Sequence, residues 1–334
     1  LARHDRLQNL PDVGLHIDAF TADGLRLLYL VEYRDLGGHP PAFSQWSLYS
    51  VPIDGSAPTL QLTTAPSYFY VPDVALDAGI PCGRIAFLDG RELVSMLPDG
   101  SARTILTPPG VTVEVDFRAE LVVDGTQLFF IGVLTNGNRT ILRVPLDGSA
   151  APIALFPPQP GGGAYLALAG TDSLLCIAYH GQRSLVRVPR AGGAPQVLAS
   201  GPYGRGPFSY QQTSNGALFM TDADAYLQYE LSFVPLDGSA PPVQLSEPGG
   251  RVLEFRAHPD GASALYLDET ASRITQLYRA PLDASNPPLE LTTPVYSNEL
   301  IGSVEEFAVT ADHARAVYRT ESGGGLRAEL QVAE

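Results

Sequence analysis

The stretch Leu231–Leu245, LSFVPLDGSAPPVQL, is an alternating apolar run, then Pro-x-Asp-Gly-Ser, then a second short alternating run. Period-two alternation marks a strand with a buried face, and Asp-Gly closes a tight turn, so the stretch reads as strand, turn, strand. It recurs as LYSVPIDGSAPTLQLT from Leu48, LVSMLPDGSARTILT from Leu93, ILRVPLDGSAAPIAL from Ile141, LVRVPRAGGAPQVLA from Leu185 and LYRAPLDASNPPLEL from Leu277, making six copies. Counted on the acidic turn residue, the copies fall at Asp54, Asp99, Asp147, Ala191 of the degenerate copy, Asp237 and Asp283, in steps of 45, 48, 44, 46 and 46 residues. That period is the length of one four-stranded propeller blade.

A second strand pair precedes each copy, as in HIDAF-TADG-LRLLYLVEY, EFRAHPDGASALYLDE and EEFAVTADHARAVYRT, where Asp-Gly or a relative again closes the turn. First strands are expected to start near Gly14, Tyr70, Val113, Ala164, Phe208, Val252 and Val304. The last repeat lacks its fourth strand, and RLQNLPDVGLHIDAF from Arg6 parallels the blade-to-blade passage TILTPPGVTVEVDF from Thr104. The expectation is an all-β, seven-bladed β-propeller of four-stranded blades, its last blade closed by the N-terminal strand, which removes exposed sheet edges. The chain is then a single domain over 1–334, with blades at about 14–65, 70–108, 113–158, 164–200, 208–247, 252–293 and 304–334 plus 5–10. An open or six-bladed array with a spare C-terminal hairpin is the alternative.

Composition agrees with a folded, turn-rich β protein: 33 Gly, 29 Pro, 45% hydrophobic and only 17% charged among 334 residues. A net charge of −15 repels phosphate backbones and anionic lipid heads, so nucleic acid and membrane surfaces are poor partners. No apolar run approaches the roughly 18 residues of a membrane-spanning helix, and LARHDRLQNL lacks the apolar segment of a signal peptide. The sequence begins without Met, as expected of a processed or trimmed chain. All 21 basic residues are Arg, which excludes Schiff-base lysine chemistry and a P-loop lysine. Cys82 and Cys176 have no metal or disulfide spacing and read as small apolar residues.

The passages TADG at Thr21, HPDG at His258 and TADH at Thr310, together with the LYxVPxDGS signature, resemble the TolB-like or WD40-like (PD40) repeat family of bacterial β-propellers. The resemblance covers essentially the whole chain. It implies a bacterial protein in the periplasm or outside the cell. Such propellers serve as partner-binding modules, as gating domains of serine peptidases and, in some relatives, as lyases. The family's Trp-Ser-Pro-Asp-Gly box is degenerate here, with Phe20, Phe255 and Phe307 at the aromatic position. The α/β or hydrolase domains that accompany some relatives have no room within these 334 residues.

In a propeller, a site is assembled from equivalent positions of several blades. Aligning the first strands puts Asp18, Asp73, Asp116, Glu254 and Glu306 in one ring, with Ala167 and Gln211 in the remaining two blades. Gathered like charges need a cation, a shared proton or hydrogen-bond donors. The ring is therefore either a channel site for a cation such as Ca²⁺ or a repeated structural brace, and Arg118 and Arg256, two residues on from Asp116 and Glu254, suit the brace. A second candidate is an aromatic loop face with Tyr68, Phe69, Tyr70, Tyr203, Arg205, Tyr296 and His39. The six His residues show neither HExxH nor HxH spacing, and there is no GxSxG.

These readings converge on a non-catalytic, monomeric propeller that recognises a protein, peptide or glycan on its aromatic loop face, without a required cofactor. The alternative is a metal-dependent hydrolase or lyase using the channel carboxylates, and a third reading is a structural segment of a longer surface protein.

Overall fold

The computed structural model describes residues 13–21, 24–34, 44–63, 74–75, 83–89, 92–113, 121–156, 163–169, 172–179, 181–202, 204–222, 228–269, 274–292, 296–297, 300–301, 303–310, 315–321 and 328–333. These residues form seven antiparallel sheets in chain order and one small hairpin, with no helix among them and so none long and apolar enough to cross a membrane. The first sheet comprises Val13–Phe20, Arg26–Arg34, Ser44–Pro52 and Leu60–Gln61, each hydrogen-bonded to the next. The second begins at Val74, the fourth at Gly163, the fifth at Ser209 and the sixth at Val252, all with the same simple order. In the third sheet the first strand is split: Val111–Val113 and Val122–Asp124 pair with opposite ends of Gln127–Leu134. The seventh has three strands, Ser303–Val309, Ala316–Glu321 and Ala328–Ala333. The expected closing strand at 5–10 lies outside the described residues.

Packing divides the chain into two compact units, Leu1–Ala167 with Pro189–Ala194, and Leu168–Val188 with Pro195–Glu334. Within the first, one cluster joins Leu28, Leu30 and Leu48 of the first sheet to Ile85, Phe87 and Val94 of the second. Ala86, Leu88 and Leu93 of the second sheet pack on Leu128, Phe130 and Leu142 of the third. Because alternate side chains of a strand face opposite ways, a sheet covered on both sides must be apolar at every residue. That is why Ile85–Leu88 is apolar and buried throughout, while the buried Asp89 that ends the strand is met by Arg103 Nη2 at 3.0 Å. The second unit repeats the scheme: Ala264 and Tyr266 face the fifth sheet, while Leu265 and Leu267 face Val304, Phe307 and Tyr318 of the seventh. Each wholly buried side chain of this size contributes about 2 kcal/mol.

The repeated turn locks neighbouring sheets together. Asp54, Asp99, Asp147, Asp237 and Asp283 each accept, through Oδ1, the backbone N–H two residues on, at 2.9–3.0 Å. Those serine hydrogen bonds hold all five carboxyls below the ordinary carboxylate range. The turn then rests on the outer strand of the preceding sheet. A Cβ at Gly100 would lie 2.6 Å from Leu60, and one at Gly148 would collide with Thr104. In the second unit Gln196 Nε2 donates to the Asp237 carbonyl at 3.1 Å.

Candidate functional site

The first strands of the fifth and sixth sheets, Ser209–Gln212 and Val252–Ala257, each pair with a strand on one side only among the described residues. A solvent-open cleft of about 500 Å³ lies between them. Ser209, Tyr210 and Gln211 form one wall with Met220 behind them, and Leu253 to Arg256 form the other. Leu253 is the bulged residue of its strand: the register passes from Val252 opposite Asp268 to Glu254 opposite Leu267. A bulge re-aims the side chains around it, and Leu253 is left exposed in the cleft.

Glu254 and Arg256, two residues apart, share a strand face. Arg256 donates from Nε and Nη2 to the same oxygen, Glu254 Oε1, at 2.9 and 2.8 Å. The guanidinium also lies 5.4 Å from the ring centre of Phe307 in the seventh sheet. Across the cleft, Gln211 Oε1 accepts the backbone N–H of Ala257 at 2.8 Å, joining strands 46 residues apart in sequence. Tyr210 fixes its wall by donating its hydroxyl to the Leu175 carbonyl at 2.9 Å.

The carboxylate ring takes a different form from the sequence alignment. Counting ladder pairs from the turn, Glu254 opposite Leu267 and Glu306 opposite Arg319 occupy the same fourth rung. Asp18 instead lies in a bulge between Ile17 and Ala19, and His16 opposite Leu30 holds the fourth rung of the first sheet. The third rung is aromatic in three successive sheets: Tyr210 with Phe219, Phe255 with Tyr266, and Phe307 with Tyr318. Glu306 Oε1 lies 3.2 Å from Arg319 Nε, so both described members of the ring face an arginine. Among the described residues no group of three or more His, Cys, Asp or Glu comes together as a metal site. The side chain of Asp18 and the residues Asp73 and Asp116 lie outside the described set.

Of the aromatic face, Tyr68, Phe69, Tyr70, Tyr203 and His39 lie outside the described residues. Arg205 is exposed in a turn, its N–H donated to the Pro202 carbonyl at 2.8 Å. Tyr296 belongs to a hairpin in which it pairs with Ile301. Cys176 is wholly buried, and that burial pushes its thiol up to about 12, as befits an inert core residue. Sequence reasoning missed the cleft as a unit. Gln211, aligned with Glu254 in the sequence, stands opposite Leu218 on the second rung, level with Arg256, so that alignment did not mark the cleft.

No protein-family model and no curated protein matches the sequence. Solved structures do. Oligopeptidase B from Trypanosoma brucei, with covalently bound antipain, is similar at a TM-score of 0.59 and 12% identity, over 97% of this chain and 47% of that one. A puromycin-hydrolysing peptidase of Mycobacterium tuberculosis gives 0.54 at 14% identity, over 95% and 53%. A post-proline cleaving enzyme from Rickettsia typhi gives 0.53 at 11%, over 93% and 50%. The chain thus spans about half the length of the structures it matches. At such identities the match shows the fold alone, a propeller-like arrangement of small antiparallel sheets. The three matched proteins named above are peptidases, which corrects the expectation of a non-catalytic recognition module.

Proposed function

We propose that the chain is a seven-bladed propeller of TolB-like type, its last blade completed by residues 5–10, and that it works in peptide hydrolysis as the propeller part of a peptide hydrolase. The observation that carries this is the match over 97% of this chain to 47% of an oligopeptidase. Amide hydrolysis needs a nucleophile activated by a base, and this sequence has no GxSxG elbow to present one. The bond-breaking groups accordingly belong to a catalytic domain, on the same polypeptide or a partner, and the propeller admits and holds the peptide. Its net charge of −15 disfavours acidic peptides at the entrance. The TolB-like resemblance supports export to the periplasm or beyond.

The test is hydrolysis of short fluorogenic peptides, one with Pro before the scissile bond, by the natural polypeptide with whatever co-purifies. Turnover of short peptides in preference to long unfolded chains is expected. Absence of turnover in every such preparation defeats the proposal.

A further inference from the structure

Between Asp172 and Asp222 the sequence contains no acidic residue and four arginines, Arg183, Arg187, Arg190 and Arg205, in a chain with 36 acids among 334 residues and a net charge of −15. The greater part of this stretch belongs to the fourth sheet, which is therefore a basic region on an acidic protein. Asp172 at its border is already engaged, since Arg187 Nη2 donates to both of its oxygens at 3.1 Å. The same sheet has a long outer strand. Gln196–Pro202 runs for seven residues, where the outer strands of the first, second, third, fifth and sixth sheets have two. Among the described residues it pairs only with Gln182–Pro189, so its other edge presents main-chain N–H and C=O groups.

Proteins guard such edges with shortness, charges, proline or bulges. No residue of this strand is charged, and its guards are Pro202 at one end and a bulge at Leu198, where the register slips between Leu185 and Val186. Val197 beside the bulge is 60% exposed and offers an apolar contact. Positive charge gathers at the other end of the strand. Arg183 is the ladder partner of Gly201, its guanidinium held 5.6 Å from the ring centre of Tyr179 and 6.0 Å from that of Phe208. Arg205, exposed, is anchored just beyond by its N–H to the Pro202 carbonyl at 2.8 Å. Charge then selects the occupant. A second copy paired edge to edge would set one basic strand beside another, and a long polyanion would reach the acidic remainder of the chain. A short extended segment with its own acids meets neither penalty, and main-chain pairing suits any extended sequence.

We infer that the fourth sheet docks a short, extended, acidic segment of a partner polypeptide, added as a strand alongside Gln196–Pro202 and held at one end by Arg183 and Arg205. The docking involves no covalent step, and the peptide-hydrolase reading neither supports nor needs it.

Calorimetric titration with acetyl-Glu-Asp-Val-Thr-Val-Glu-Asp-amide, whose acids lie at both ends to suit either strand direction, tests it beside the neutral acetyl-Gln-Asn-Val-Thr-Val-Gln-Asn-amide. At physiological salt the field of the whole chain is screened beyond about 8 Å, so contact charges decide. The acidic peptide is expected to bind about fivefold tighter than the neutral one, as for two exposed ion pairs, whereas the net charge of −15 alone would give the opposite order. Val197→Glu is expected to weaken binding at least about fivefold by placing like charge beside the added strand, and Leu289→Glu, an exposed change on the outer strand of the sixth sheet, to leave it unaltered. Hydrogen exchange on the unaltered chain supplies a readout that no misfolded variant can spoil: the bound peptide is expected to slow exchange at amides within 196–202. Equal or tighter binding of the neutral peptide, no binding at millimolar concentration, or unchanged exchange in that strand overturns the inference. Dimerisation of the chain that Val197→Glu abolishes, with no peptide bound, makes a second copy the occupant and overturns it too.

Discussion

The first and sixth sheets contain the same arginine–serine contact with the partners exchanged. In the first sheet Arg26, opening the second strand, donates from Nε to Ser50 Oγ on the third strand at 2.6 Å. In the sixth, Ser263 opens the second strand and receives Arg279 Nε from the third at 3.0 Å. The second sheet follows the first, through Arg84 and Ser95, and the fourth follows the sixth, through Ser173 and Arg187. In the fifth sheet the two positions are Gly216 and Phe233, and no hydrogen bond remains to be made. The difference teaches that the position demands a volume first and a chemistry second. In these five sheets one long side chain and one small one fill the gap beside the turn, whichever strand supplies the long one, whereas the third sheet places Gln127 and Arg143 at the two positions.

The sharpest way to break this equivalence is Gly216→Ser. A Cβ at Gly216 would collide with the buried Phe233 ring and lie 2.6 Å from the Val234 carbonyl oxygen. Overpacking of a closed core site costs about 1–3 kcal/mol, and this one has backbone on one side, so the upper part of that range is expected. Denaturant unfolding reads the loss. The double variant Gly216→Ser with Phe233→Arg rebuilds the pair of the fourth and sixth sheets and is expected to recover at least half of it. No recovery would mean that volume exchange does not govern the position.

A smaller effect is expected in the sixth sheet, where Arg279 serves the serine and the turn together. Its Nη2 lies 2.7 Å from Asp260 Oδ2, which also faces His258 Nδ1 at 3.0 Å and accepts from Ser263 Oγ at 2.8 Å. Burial pushes the Asp260 carboxyl up, but the Ala262 N–H, Ser263, Arg279 and His258 together hold it well below the ordinary carboxylate range. A carboxyl lowered on folding adds stability that is present above its unfolded value near pH 4 and is lost as pH falls through the folded value. Arg279→Ala removes part of that lowering, so its acid unfolding is expected to begin at higher pH than that of the unaltered chain. The matching change in the first sheet, Arg26→Ala, removes the hydrogen bond to Ser50 and only a minor part of the lowering of Asp99, so its stability is expected to fall by about 1 kcal/mol with a smaller shift of the acid limb than Arg279→Ala gives. Parallel pH profiles of thermal midpoints for the two variants decide it.

These contacts show why the repeat was legible and the site was not. Pro-x-Asp-Gly-Ser is local chemistry: the carboxylate caps an N–H two residues away, and nothing distant is needed to recognise it. Strand pairs followed from that turn and from alternation, so the order of the sheets could be written from the sequence. Rung positions could not, because single-residue bulges between Ile17 and Ala19, at Leu253 and between Val304 and Glu306 shift the ladder without any mark in composition. The aligned acids therefore looked like one ring although Asp18 and Glu254 stand on different rungs. The cleft was hidden for a further reason, since it is made by contacts such as Gln211 to Ala257 that join separate sheets. Function was the least legible, and the expectation of a non-catalytic module failed, because one propeller-like fold serves unrelated tasks.

The mildest comparison is between the repeated turns themselves. Five copies place Gly after the acidic position or its substitute, in left-handed backbone such as Gly148 at φ 68° and Gly238 at φ 66°. The sixth copy, Asp283-Ala284-Ser285, places alanine there at φ 51°. Its hydrogen bonds are those of the other copies: Ala284 N donates to the Pro281 carbonyl at 3.1 Å, and Ser285 N to Asp283 Oδ1 at 3.0 Å. Since the contacts are equal, the residue itself carries the difference, and a Cβ in this region costs about 1–2 kcal/mol. Glycine removes that cost but gains freedom in the unfolded chain, which returns part of it. Ala284→Gly is therefore expected to stabilise the protein by about 0.5–1 kcal/mol, seen as a raised denaturant midpoint at unchanged slope. The reverse change, Gly148→Ala, meets both the same backbone cost and a collision with Thr104, so it is expected to destabilise by more than Ala284→Gly stabilises. Equal and opposite effects would show that the backbone alone matters and that the seat of the turn on the preceding sheet does not.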